Sequence, residues 1–235
     1  MTIKKILKKL CHYSGIPPYF LRTQFFECKM AIIRLYGFFQ RKKINNIQKK
    51  ANIKLHFGCG ETHYSEWVNI DSFFAKNVDV VLDLRRTLPF ETASVHYCYS
   101  EHFLEHLYPE EGLRHLGEVY RVLQSGGIYR VVVPAGIRFV EKYLAKDAEF
   151  FKLAFPWEER PMDAIYNILN WGGEHKNIFD FSQLEYLGKK AGFSEIRECT
   201  VNGSVISVLR IDKKNAQRAA ESLYVEFIKY DAFVN

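Results

Sequence analysis

From Ala51 onward, short apolar runs alternate with stretches whose apolar residues recur every three or four positions, the pattern of parallel strands joined by helices. The runs predict strands at 53–57, 67–70, 79–82, 95–99 and 128–133. Between the last two, Pro109-Glu110-Glu111 suits a helix start and Gly126-Gly127 its end, so 109–124 reads as a helix. After residue 134 the pattern is helical until Gly192, and 195–200, 204–211 and 222–229 then read as β segments. No linker, internal repeat or low-complexity stretch divides this part, so 51–235 is expected to be one domain.

The first fifty residues follow a different pattern. Ile3, Ile6, Leu7 and Leu10 fall at helical spacing among lysines, Pro17-Pro18 interrupts the chain, and Phe20, Phe25, Phe26, Ile32, Ile33, Tyr36 and Phe39 then recur at roughly helical spacing. This predicts two helices forming an arm, 1–50, outside the main fold. Its charge sharpens the picture: twelve Lys and Arg stand against one acid, Glu27, while the other 185 residues hold 21 basic and 26 acidic groups. A basic amphipathic arm on a mildly acidic body either caps the sheet, makes a dimer contact, or docks through residues 1–40 on an anionic membrane surface. Nucleic acid is not expected, because no recognisable binding module accompanies the charge.

Composition excludes other classes. Hydrophobic residues make up 48% of the 235, enough for a packed core and too many for a disordered chain. The five cysteines, Cys11, Cys28, Cys59, Cys98 and Cys199, are odd in number and never form CxxC, which points to free thiols in a reducing, cytoplasmic setting. Arg22, Glu27, Lys29 and Arg34 interrupt the most apolar part of the arm, so no membrane span is expected.

The chemistry concentrates after the first strand. Lys54-Leu55-His56-Phe57-Gly58-Cys59-Gly60 is a strand running into a glycine turn, where backbone amides can approach a ligand. A dinucleotide-binding reading is poor, because the third glycine of that motif would fall on His63. Trp67-Val68-Asn69-Ile70-Asp71 ends in a carboxylate suited to a ribose diol, and Val80-Val81-Leu82-Asp83-Leu84 carries one suited to an exocyclic amine such as that of adenine. With the turn, Asp71 and Asp83 compose an adenosine site. Only eleven residues separate Gly60 from Asp71, so any helix between them must be short or irregular.

The ordered set of this GCG turn, Leu88-Pro89-Phe90, Leu104-Glu105-His106-Leu107, Arg121-Val122-Leu123 with Gly126-Gly127, and Val132-Val133-Pro134 resembles the class I S-adenosylmethionine-dependent methyltransferases. The resemblance runs from about Lys54 to Pro134 and more weakly through His175, Phe179-Asp180 and Ala191-Gly192-Phe193. With Ser222-Leu223-Tyr224-Val225-Glu226, the whole is similar to methyltransferases of bacterial surface-polysaccharide biosynthesis. It implies an α/β Rossmann-like fold, a mostly parallel sheet flanked by helices, with S-adenosyl-L-methionine as cofactor. It further implies Phe57, Gly58, Cys59 and Gly60 at the methionine and ribose part, Asp71 at the ribose, Asp83 and Leu84 at the adenine, and Ser100 beside the sulfonium. His56 stands where many relatives carry an acid, so the amino group of the methionine moiety must be held differently.

For an acceptor hydroxyl, a histidine near the methyl suits proton removal, and His102, His106 and His175 are the candidates. His102, Glu105 and His106 at i, i+3 and i+4, closed by His175, also have a ligand-like spacing. The default expectation is no metal, with Glu105 and His106 bracing the loop by hydrogen bonds. The segment 135–181, rich in aromatic residues such as Phe139, Tyr143, Phe151, Phe155, Trp157, Tyr166 and Trp171, either binds the acceptor or forms a helical core. The expected reaction is O-methylation of a sugar or glycan precursor by a cytoplasmic enzyme, with the inner membrane face as a docking option. Alternatives are a small aryl or amine acceptor, or a silent cofactor-binding fold serving as an interaction module. A homo-oligomer is left open.

Overall fold

The structure, a computed structural model, describes residues 13–15 and 17–230, so the helix expected over the first ten residues lies outside the described part. Seven strands form one sheet: β1 (Lys54–Phe57), β2 (Val68–Asp71), β3 (Val80–Val81), β4 (Val95–Glu101), β5 (Leu123–Pro134), β6 (Glu195–Cys199) and β7 (Ser222–Ile228). Their order is β3-β2-β1-β4-β5-β7-β6. The first five run parallel, and β7 enters antiparallel between β5 and β6. Because β1 pairs with both β2 and β4, the strand order reverses at β1, and the crevice beyond its carboxyl end is where an open α/β sheet binds ligands.

The helices follow from local signals. In α3 (Pro109–Val122), proline opens the first turn, the Glu111 carboxylate accepts the Tyr108 amide, and Leu116, Val119 and Val122 bury one face against the sheet. In α7 (Phe181–Ala191), the Asp180 carboxylate accepts the Gln183 amide at 2.7 Å, and Gly192, at φ +108°, stops the helix. Between β1 and β2, where the spacing allows a short or irregular helix, the chain forms only turns.

The arm comprises α1 (Pro18–Gly37) and α2 (Arg41–Gln48), joined by a tight turn at Phe38–Gln40. It is less detached than its composition suggests: Met30 and Ile33 pack on Cys59, Val78 and Val81, and Ile44 and Ile47 enter the central core. Gln40, buried between them, accepts the Val81 amide (2.9 Å) and donates to the Val81 carbonyl (2.7 Å), standing in for the strand that β3 lacks on its outer side. No helix among the described residues is long and apolar enough to cross a membrane.

One expectation changes, and one of two open alternatives is favoured. Residues 204–211 form no strand; they hold a short 3-10 turn at Ser207–Leu209. Their apolar residues Ile206, Val208, Leu209 and Ile211 pack into a cluster with Trp67, Tyr99 and Tyr224 rather than pairing at an edge. In 135–181, α4 (Gly136–Leu144), α5 (Ala148–Ala154) and α6 (Pro161–Asn170) build a satellite core of Phe139, Phe150, Phe151, Phe155, Ala164 and Ile168. Helical packing therefore consumes three of the seven aromatic residues named for an acceptor, Phe139, Phe151 and Phe155, while Tyr143, Trp157, Tyr166 and Trp171 remain exposed.

Candidate active site

The glycine turn leaves β1 at the crevice. Gly58 and Gly60 adopt φ of +61° and +54°, a region that glycine enters without strain. A Cβ on Gly58 would lie 2.7 Å from the Phe103 side chain, so this position needs glycine for close packing as well. A Cβ on Gly60 would meet nothing within 4 Å, so there the backbone itself faces open space.

That space is a cleft of about 440 Å³, within the usual range for a small-molecule site. His56, Gly58, Cys59 and Gly60 line it together with Glu101, His102, Lys213 and Arg218. His56 Nδ1 lies 3.1 Å from Asn69 Oδ1, while Asn69 Nδ2 donates to the carbonyls of Tyr64 and Trp67. This pattern makes His56 Nδ1 the donor and leaves Nε2 with its lone pair. Burial lowers the His56 pKa to about 4 against the Asn69 hydrogen bond, so the ring is neutral. Burial likewise pushes the Cys59 thiol up to about 12, which makes it inert.

Asp71 braces the turn: its carboxylate accepts the Gly60 amide at 2.8 Å and the Ser72 amide at 2.6 Å. Burial raises its pKa more than these amides lower it. Asp83 is turned toward the arm, where its oxygens accept from Arg34 Nε (2.9 Å) and Arg85 Nε (2.8 Å), and Arg85 also binds Glu27 (2.6 Å). Burial would raise the Asp83 carboxyl, but the hydrogen bonds from Arg85 and Arg34 outweigh it and hold the pKa below the usual value.

Several residues fall elsewhere than their sequence roles suggest. Ser100 is fully buried, its hydroxyl 2.8 Å from that of Tyr129, so its side chain points into the core. The side chains of Phe57 and Leu84 are also core, with Phe57 packed edge-on to His115 and Tyr129. Alternation along β4 sends Glu101, not Ser100, into the cleft. Among the three histidines, only His102 lines the cleft; His106 and His175 lie together beyond it, ring centroids 5.0 Å apart.

His102 has φ +52°, uncommon for a residue with a Cβ and frequent at functional sites. Its Nε2 lies 2.9 Å from the Ser222 hydroxyl, and the Arg218 guanidinium sits 3.0 and 3.1 Å from its two ring nitrogens. Burial, and then the Arg218 charge, hold its pKa well below the usual histidine value, so the ring is uncharged at neutral pH. Arg218 also pairs with Glu101 (3.0 Å) and Glu221 (2.6 Å). Sequence reading missed Glu101, Lys213 and Arg218. The only signal was a run of polar residues around 212–218, which carries no recognisable motif.

Residues 72–131 match the family model described as a methyltransferase domain. No curated protein matches the sequence. Among solved structures, a SAM-dependent methyltransferase from Archaeoglobus fulgidus is 15% identical, with 91% of this chain and 100% of that one covered and a TM-score of 0.46. A SAM-dependent methyltransferase from Thermotoga maritima is also 15% identical, covering 84% and 91%, with a TM-score of 0.42. A Haemonchus contortus phosphoethanolamine N-methyltransferase, in complex with phosphomonomethylethanolamine and S-adenosylhomocysteine, is 16% identical, covering 83% and 53%, with a TM-score of 0.42.

Proposed function

We propose that this chain, a class I S-adenosylmethionine-dependent methyltransferase by its sheet order and matched segment, transfers the methyl group to a hydroxyl of a sugar or glycan precursor. The observation that carries the acceptor class is the polar lining that shares the cleft with the glycine turn. Glu101, His102, Lys213 and Arg218 offer hydrogen bonds and charge where an aryl acceptor would want flat apolar faces.

In this reading Gly58 and Gly60 give the cofactor's methionine and ribose part close access to backbone, and Asp71 takes the ribose hydroxyls. Asp83 pairs with Arg34 and Arg85, so it would serve the adenine end only by releasing one of them. The neutral His56 offers Nε2 to the cofactor's ammonium group, replacing the missing acid. The cofactor supplies an activated methyl on a sulfonium, so the chain has only to position the acceptor and handle one proton. The acceptor oxygen forms its bond to the methyl carbon as the carbon–sulfur bond breaks and the electron pair leaves on sulfur. His102 receives the hydroxyl proton at Nε2, with Ser222 turning to accept from the new N–H. Burial, with the Arg218 charge, keeps His102 neutral beforehand, and Arg218 holds Glu101 in place.

The test is methyl transfer from labelled S-adenosylmethionine to nucleotide sugars and glycan fragments, with catechols and amines alongside. Transfer to the sugar hydroxyls is expected. His102→Ala should lower kcat by about 10²–10⁴-fold while calorimetric affinity for S-adenosylhomocysteine stays unchanged. Transfer to aryl or amine acceptors alone, or wild-type kcat in the variant, would overturn the reading.

The surface of the arm supports a location. Phe25, Ile32, Leu35, Phe38 and Phe39 are exposed beside Arg41, Lys42 and Lys43, with no acid between residues 28 and 50. Such a face suits the headgroup region of an anionic bilayer. The protein is expected to float with vesicles containing phosphatidylglycerol and not with neutral ones, and Phe38→Ser with Phe39→Ser should weaken flotation. Equal recovery from both vesicle types, or from neither, would reject membrane docking.

A further inference from the structure

The histidines outside the cleft pose their own question. The carboxylate of Glu105 is fully buried, and neither of its oxygens has a hydrogen-bond partner. A buried carboxyl group without a partner is costly, and a bound ion is one way to satisfy it. His102 Nδ1 lies 3.4 Å from Glu105 Oε1, outside hydrogen-bonding geometry.

Two imidazoles stand beside it, each with its tautomer fixed by a backbone carbonyl. His175 Nδ1 lies 2.7 Å from the Ile168 carbonyl, and His106 Nδ1 lies 3.3 Å from the Glu174 carbonyl. A carbonyl can only accept, so both Nδ1 atoms carry protons and both Nε2 atoms present lone pairs. An outer hydrogen bond that orients a ring for metal binding takes this form. One ligand atom from each of Glu105, His106 and His175 lies within 4.8 Å of the other two. An ion at ~2.0–2.2 Å from each ligand needs only a small closure of the three side chains.

The backbone holds the set together across the fold. The amides of Lys176 and Asn177 donate to the Glu105 carbonyl at 2.8 and 3.1 Å, tying the loop that carries His175 to the short turn Leu104–His106. Trp171 stacks on His175 with its ring plane 16° away, which restricts the ring further. Arg22 reaches the same loop from α1, pairing with Glu174 and donating to the Gly172 carbonyl at 2.8 Å.

We infer that Glu105, His106 and His175 form a binding site for a divalent first-row transition ion. Two nitrogens and one oxygen favour zinc, cobalt, iron or manganese over magnesium, which prefers oxygen ligands and water. Three protein ligands leave coordination positions open, and the contact of Glu105 Oε1 with His102 Nδ1, 3.4 Å, links the set to the cleft wall. Such an ion would satisfy the orphaned carboxylate and fix the turn from which His102 projects.

The test uses the full chain stripped with a chelator and titrated with Co²⁺, read by visible absorption, and with Zn²⁺ and Mg²⁺, read by calorimetry. One Co²⁺ or Zn²⁺ per chain is expected, with Mg²⁺ weaker by at least about a hundredfold. His175→Ala and Glu105→Gln should each weaken Zn²⁺ binding by about tenfold or more, and His63→Ala, on an exposed loop, should leave it unchanged. Circular dichroism of the isosteric Glu105→Gln variant separates ligand loss from misfolding. Absence of a Co²⁺ spectrum, or affinities unchanged in both ligand variants, would overturn the site. S-adenosylhomocysteine binding in the same stripped samples reports separately on the methyltransferase reading.

Discussion

Asp71→Ala is expected to weaken S-adenosylhomocysteine binding by about a hundredfold, because the carboxylate that braces the turn is also the group proposed to hold the ribose. In the structure Asp71 accepts the amides of Gly60 and Ser72, which fixes the glycine turn in its left-handed conformation. In the bound state it would also accept from the ribose hydroxyls. Hydrogen bonds to a charged group contribute roughly 1.5–3 kcal/mol each, so losing two amounts to several kcal/mol, offset by water that enters the space. At 1.4 kcal/mol per tenfold, a loss near 3 kcal/mol gives the expected factor. Asp71→Asn, which keeps an acceptor oxygen of the same shape, should fall between. Calorimetric titration decides it, and an affinity within twofold of wild type in Asp71→Ala would remove this residue from the site.

The second large effect is on stability. Arg130 on β5 is wholly buried with Asp212 and Glu226, its Nε 2.9 Å from Asp212 Oδ1 and its Nη1 3.1 Å from Glu226. Arg130→Leu leaves two carboxylates in a dry interior without a cation. Breaking a buried pair from one side costs about 3–5 kcal/mol, and for a chain of this size each kcal/mol lowers Tm by roughly 2–4 °C. A fall of about 6–20 °C is therefore expected in differential scanning calorimetry. Glu226→Gln should behave differently: one of its oxygens has no hydrogen-bond partner and the cluster holds two acids for one base, so its Tm should change little or rise. A Tm for Arg130→Leu within two or three degrees of wild type would show that the cluster does not hold the fold. The same pair anchors the 200–215 loop, since Asp212 also accepts the Asn202 amide at 2.6 Å, and Lys213 is the next residue toward the cleft.

The sheet was readable from sequence because its signals are local. The apolar runs that become β1, β2, β4 and β5, the glycines after β1 and the carboxylate at the end of β2 all declare themselves within a few residues. Features that depend on chain return were hidden. Arg218 meets His102 across 116 residues, and Arg34 meets Asp83 across 49, contacts that no periodicity encodes. The inward side chain of Ser100 is a parity matter: residues two apart on a strand share a face, and Cys98, also fully buried, goes inward with it. Segment 204–211 has the apolar content of a strand, but its groups meet a core cluster before any edge, so burial overrode the local propensity. The arm's partition between sheet and solvent was also concealed, because aromatic residues occupy both of its faces.

Gln40 has a consequence for how molecules of this chain meet one another. An open sheet ends in two strands whose outer backbone groups can recruit a neighbour's strand, a route to aggregation. At one end, the Gln40 amide occupies both backbone groups of Val81 and leaves no hydrogen-bonding vacancy there. At the other, β6 carries Glu195, Arg197 and Glu198, charges that resist stacking against a second sheet. Among the described residues, strand-to-strand joining is thus closed at one edge and discouraged at the other, which favours the helical faces for any self-association.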